Sequence, residues 1–161
     1  MRLHHLKQTQ RKKNEKRCLF LDYAASHPDA ILTYRASDMV LVLHSDISYL
    51  SEPQARSRTG GHFFFSEDQE DRLNNGAVLS TAQLLKVVIS YAAEAELGAM
   101  FFNTREAIPV RKALAEMAHK QPRMPMQIDN STAVGVANSN IQSRRTKAMD
   151  MTFHWLCDQE A

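Results

Sequence analysis

Five consecutive apolar residues, Met39-Val40-Leu41-Val42-Leu43, constrain the fold more than any other stretch of this chain. Alternate side chains of a strand point to opposite faces, so a strand of this composition has no side suited to water. The segment from Met39 to Ser45 is therefore expected at the centre of a sheet covered on both faces. A chain of 161 residues is long enough to bury one such core.

The rest of the pattern fits a mixed α/β layer fold. Ile31 to Tyr34, His62 to Phe65 and Ala77 to Leu79 read as further strands, with residues 50–61 as a loop carrying Pro53, Gly60 and Gly61. Asn74-Asn75-Gly76 is turn chemistry, because Asn and Gly tolerate positive φ. From about Tyr91 the period becomes helical. Ala92 through Phe102 is rich in helix formers, and Val110, Leu114 and Met117 continue the apolar stripe past Pro109, where the helix is expected to restart or kink. Met126-Gln127-Ile128 reads as a strand ending at Asp129, followed by a short helix over 132–136 and a last helix from Thr146. An earlier helix, over residues 10–25, is ended by His27-Pro28-Asp29.

Composition narrows the function classes. Apolar residues make up 43% and charged residues 24%, which excludes a disordered chain. No apolar run approaches the roughly 20 residues of a membrane span, and the basic start, Met1 to Lys7, leads into more charge rather than a secretory signal. Cys18 and Cys157 form no metal-binding spacing, so free thiols in a reducing, intracellular compartment (cytoplasmic or nuclear) are expected. The net charge of +2 hides an asymmetry. Residues 1–17 hold Arg2, Lys7, Arg11, Lys12, Lys13, Lys16 and Arg17 against Glu15 alone, a balance of +6, while the remainder sums to −4. Such an arm suits a phosphate backbone, with Lys12, Lys13, Lys16 and Arg17 as candidate contacts; a solvated helix face is the plainer alternative.

Four carboxylates fall where a sheet-and-helix core can gather them. Asp46 and Asp129 are expected at strand exits, Glu96 early in the long helix and Asp150 early in the last one. Strands lie about 4.8 Å apart, so two acids at the exits of neighbouring strands can share one site. The cluster would repel itself unless divalent cations neutralise it, and hard oxygen ligands favour Mg2+ or Mn2+. Glu94 lies two residues from Glu96 and points about 200° away on a helix, so only one of them can face the site.

Several motifs, in order, carry a resemblance to the ribonuclease H domain of copia-type retrotransposon polyproteins. His44-Ser45-Asp46-Ile47-Ser48-Tyr49 resembles that family's S-D-A-D-W segment, Thr59-Gly60-Gly61-His62-Phe63-Phe64 its T-S-G-Y-V-F, and Val78-Leu79-Ser80 its I-S-W. Ala92-Ala93-Glu94-Ala95-Glu96-Leu97 resembles S-T-E-A-E-Y, Asp129-Asn130-Ser131-Thr132-Ala133 resembles D-N-Q-G-A, and Arg145-Thr146-Lys147-Ala148-Met149-Asp150 resembles R-T-K-H-I-D. The likeness runs from about Cys18 to Trp155.

The resemblance implies a ribonuclease H-like fold, a mixed five-stranded sheet flanked by helices, over residues 36–161. Residues 1–35 would be a basic arm and the connecting helix that follows a reverse transcriptase. It implies hydrolysis of the RNA strand of an RNA–DNA hybrid, with Asp46, Glu96, Asp129 and Asp150 as catalytic ligands of two Mg2+ (or Mn2+) ions. Ser48, Asn130 and Ser131 stand near those acids as candidates to sense the 2′-OH. The chain departs from the family at Ser143 and Ala148, where histidines are usual, and only eleven residues follow Asp150. These departures keep open the alternative of a non-catalytic nucleic-acid-binding remnant.

Overall fold

A computed structural model describes residues 14–15, 17–69, 71–86, 89, 91–130 and 134–135. The described residues fall into two units, one ending at Thr33 and the other beginning at Tyr34. The first contains helix α1, residues 17–26, closed by a turn at His27, whose backbone N–H donates to the Tyr23 carbonyl.

The second unit is built on β1 (Val40–Glu52), β2 (Arg56–Ser66), β3 (Ala77–Leu84), α2 (Ala92–Glu116) and β4 (Met126–Gln127). The sheet order is β3-β2-β1-β4, with β1–β2 and β2–β3 antiparallel and β1–β4 parallel. The apolar run is central, as its composition demands. Leu41 and Leu43 pack with Phe63 beneath Ala107 and Leu114 of α2, while Val40, Val42 and Phe64, which alternate to the other face, are buried as well. A second cluster, Ile47, Leu85, Ile89, Ala95 and Ala99, lies under the N-terminal half of α2.

Several sequence expectations are corrected. The sheet has four strands among the described residues rather than five, because Ile31 to Tyr34 joins no ladder. Ile31 and Leu32 are exposed, and the following backbone is tied by side chains instead. Asn75 Oδ1 accepts from the Arg35 N–H, Asn75 Nδ2 donates to the carbonyls of Arg35 and Phe65, and the Tyr34 hydroxyl donates to the Ala77 carbonyl. Residues 50–61 are no loop either: β1 runs on to Glu52, β2 starts at Arg56, and Arg58 clasps Glu52 at 2.7 Å. The turn between them places Gln54 at φ 64° and Ala55 at φ 53°, a primed hairpin geometry built without glycine. The long helix continues through Pro109, which sits on its exposed side. Of the short helix expected over 132–136, Val134 and Gly135 are described and helical, and the helix expected from Thr146 lies outside the described residues.

Candidate functional site

Asp46 belongs to the body of β1 rather than to its exit, since Asp46 pairs with Gly60 and the ladder continues beyond it. On the other side of β1 the parallel register sets His44 against Gln127. Continuing that register by two residues brings Asp129 alongside Asp46 just past the end of β4. Glu96 reaches the same point from the second turn of α2, a turn anchored by Ala95 and Ala99 against Ile47, Leu85 and Ile89.

The three side chains converge. Asp46, Glu96 and Asp129 each offer a carboxylate oxygen, and these atoms all lie within 4.8 Å of one another. Asp46 and Asp129 are exposed, whereas Glu96 is 6% exposed. Burial pushes the Glu96 carboxyl up to about 7, helped by the charges of Asp129 and Asp46 and by a hydrogen bond to Asp129. Its Oε2 is buried and has no hydrogen-bond partner among the described residues. An unpartnered carboxylate oxygen among two further acids is a donor set suited to a hard divalent cation, which would satisfy the oxygen and relieve the repulsion together. Glu94, two residues earlier, is half-buried and outside this group.

The remaining candidates divide by position. Ser48 is exposed on β1 two residues from Asp46, hence on the same face of the strand, and Asn130 is half-buried next to Asp129. Arg17 is exposed on the first unit. Asp150, Ser131, Lys12, Lys13 and Lys16 lie outside the described residues, as do Ser143 and Ala148.

This chain is similar to part of a retrotransposon polyprotein. Over 125 residues, 78% of its length, it is 24% identical to the retrovirus-related Pol polyprotein from transposon TNT 1-94 of Nicotiana tabacum. The match covers 9% of that relative, so the chain spans a small fraction of it. The similarity supports a retrotransposon origin. No family model matches the chain, and no solved structure matches it significantly. No described helix is long and apolar enough to cross a membrane.

Two other groups lie near the sheet centre: the pair His44 and His62, which the sequence suggests as packing or hydrogen-bonding residues, and Asn103, which sequence reasoning did not single out. His44 and His62 face each other across β1 and β2, with ring centroids 6.2 Å apart and Phe64 set edge-on to His44 at 4.9 Å. Burial, then the charge of His62, holds the His44 imidazole below its ordinary range. Asn103 of α2 is 1% exposed and hydrogen-bonded to all three antiparallel strands. Its partners, Ser45, Thr59 and Thr81, occupy inward positions that a hydrophobicity pattern does not flag.

Proposed function

We propose that this chain is a metal-dependent endonuclease of ribonuclease H type, hydrolysing the RNA strand of RNA–DNA hybrids. The observation that carries the reading is the convergence of Asp46, Glu96 and Asp129 within 4.8 Å from β1, α2 and the segment after β4. Their order in the chain and the residues around them resemble those of the retrotransposon domain. The ribonuclease H-like fold assignment over residues 36–161, the connecting role of residues 1–35 and the placing of Asp150 as a fourth ligand belong to the same proposal. So does association with a reverse transcriptase part of a larger Pol-type polyprotein.

Asp46, Glu96 and Asp129, with Asp150, would hold two Mg2+ or Mn2+ ions, whose chemistry would be to lower the pKa of an attacking water and to stabilise charge on the leaving 3′ oxygen. The protein's own part is to hold ligands and exclude alternatives. Asp46 and Asp129, being exposed, are the acids a phosphate can approach. Glu96, buried behind them with its carboxyl raised to about 7, holds a proton below neutral pH in the free protein and would release it on binding a cation. Ser48 and Asn130, with Ser131, are placed by sequence to meet the 2′-OH, the group that distinguishes RNA from DNA. Lys12, Lys13, Lys16 and Arg17 would track the phosphate backbone.

The absence of histidine at Ser143 and Ala148 favours a second reading, a non-catalytic remnant that binds nucleic acid without turning it over. One experiment separates the two. Purified protein is incubated with labelled RNA–DNA hybrid, RNA duplex and DNA duplex, with Mg2+ or with EDTA. The proposal expects cleavage of RNA in the hybrid alone, only with metal, and its loss in Asp46→Asn. Hybrid binding without cleavage in any metal selects the remnant, and neither binding nor cleavage removes both readings.

A further inference from the structure

We propose that Asn103 is a positioning residue: its side-chain amide locks α2 in register over the sheet so that Glu96 meets Asp46. The inference rests on the reading of the three acids as a metal centre and names what holds that centre together. The Asn103 Nδ2 group donates to Ser45 Oγ at 2.9 Å, to Thr59 Oγ1 at 3.2 Å and to the Gly60 carbonyl at 2.9 Å. Its Oδ1 accepts from Thr81 Oγ1 at 3.0 Å. One side chain of α2 thereby engages β1, β2 and β3 at a single level of the sheet. That level is the level of Asp46: Ser45 precedes it, and Gly60 is its cross-strand partner.

On the helix, Asn103 and Glu96 are seven residues apart. Seven residues are just under two turns, so both side chains leave α2 in nearly the same direction, about 10 Å apart along its axis. Fixing Asn103 therefore fixes both the rotation of α2 and its advance along the sheet at Glu96. Shape does this incompletely, because the fully buried contacts of the helix with the apolar cluster near Glu96 are the small residues Ala95 and Ala99, with the partly buried Phe102 packed against that cluster. Small side chains leave shallow ridges, and a helix resting on them can shift by a turn, about 5.4 Å, while keeping most of its apolar burial. Such a shift would carry the Asn103 amide away from Ser45, Thr59 and Thr81, leaving a buried polar group with no partner.

Gly61 shows how closely the network is set. A Cβ there would lie 2.5 Å from Thr81 Oγ1 and 2.7 Å from Asn103 Oδ1. Buried polar groups that specify register, at some cost in stability, are the best-attested use of such groups in apolar interfaces.

The test compares Asn103→Leu with Thr81→Val, a milder cut that removes only one hydrogen bond, and with Leu114→Ala, a core deletion at the far end of α2. Mn2+ binding is titrated at a temperature where each variant is folded, and amide hydrogen exchange is followed without metal. The expected result is Mn2+ affinity at least about tenfold weaker in Asn103→Leu, an intermediate loss in Thr81→Val, and affinity unchanged in Leu114→Ala despite its lower stability. Natural affinity in both network variants, or an equal loss in Leu114→Ala, overturns the proposal. Should the natural chain take up no Mn2+, the metal reading falls and exchange decides the positioning claim by itself. Asn103→Leu or Thr81→Val should then open the amides of Ser45 to Ile47 and the start of α2, and unchanged protection there in both overturns it.

Discussion

Replacing Glu96 by Gln should remove a pH dependence of stability that the acid cluster imposes on the free protein. In the folded chain the Glu96 carboxyl is pushed to about 7, against 4.5 for an ordinary glutamate, because it is buried beside Asp129 and Asp46. Between those two values the folded state retains a proton that the unfolded chain has released. The folded state thus binds more protons than the unfolded one, and stability falls as pH rises. The contribution is fully present below pH 4.5, declines across the window and is gone above about pH 7. A shift of this size corresponds to at most about 3 kcal/mol. Glutamine has the shape of the neutral acid and no titration, so Glu96→Gln should gain about that much over the natural chain between the two ends of the window. The assay is urea unfolding of both proteins in EDTA across the window, read as the difference in unfolding free energy at each pH. A difference that does not change with pH would refute the reasoning. Saturating Mn2+ should shrink the difference, because a cation among the carboxylates favours the ionised form.

Three further outcomes follow from the same structure. Mn2+ or Mg2+ should raise the melting temperature of the natural chain, through binding to the native state alone, and either Asp46→Asn or Asp129→Asn should remove most of the rise; equal shifts in all three proteins would remove the cation site. Deleting residues 1–17 should weaken hybrid binding and flatten its dependence on salt, by about 0.9 in the log–log slope for each phosphate no longer neutralised; an unchanged slope would make the arm a solvated segment. Ala55→Gly should stabilise the fold by about 1 kcal/mol in thermal or urea unfolding, since Ala55 sits at φ 53° where a Cβ is costly, and a loss of stability would contradict that account.

What the sequence disclosed depended on where apolar pattern and structure coincide. The run from Met39 to Leu43 could only be a buried central strand, and the acids at 46, 96 and 129 stood out because each borders an apolar element. The first half of β2, and with it the second half of β1 that it pairs with, was hidden because its inward residues include Ser57 and Thr59, both buried and neither apolar. The turn joining them carries no Gly or Asn at residues 54 and 55, so the usual hairpin signal is missing. Ile31 to Tyr34 misled in the opposite sense, having strand composition but joining no ladder, while the backbone of the following Arg35 is bound by Asn75. Asn103 was illegible for a related reason. A polar residue in a helix acquires meaning only when the strand register shows that Ser45, Thr59 and Thr81 meet at its level.

The parallel pairing of β1 with β4 is the long-range contact on which the acid cluster depends. Strands β1, β2 and β3 join near neighbours in the sequence, whereas Leu43 meets Met126 from 83 residues away. Closing that pairing carries a loop-entropy cost, and Asp129 reaches Asp46 only with it. If the carboxylates come together only after the folding barrier, a cation held by them has nothing to grip in the transition state. Its effect would fall on the lifetime of the finished molecule, slowing unfolding while leaving the speed of formation nearly as it was.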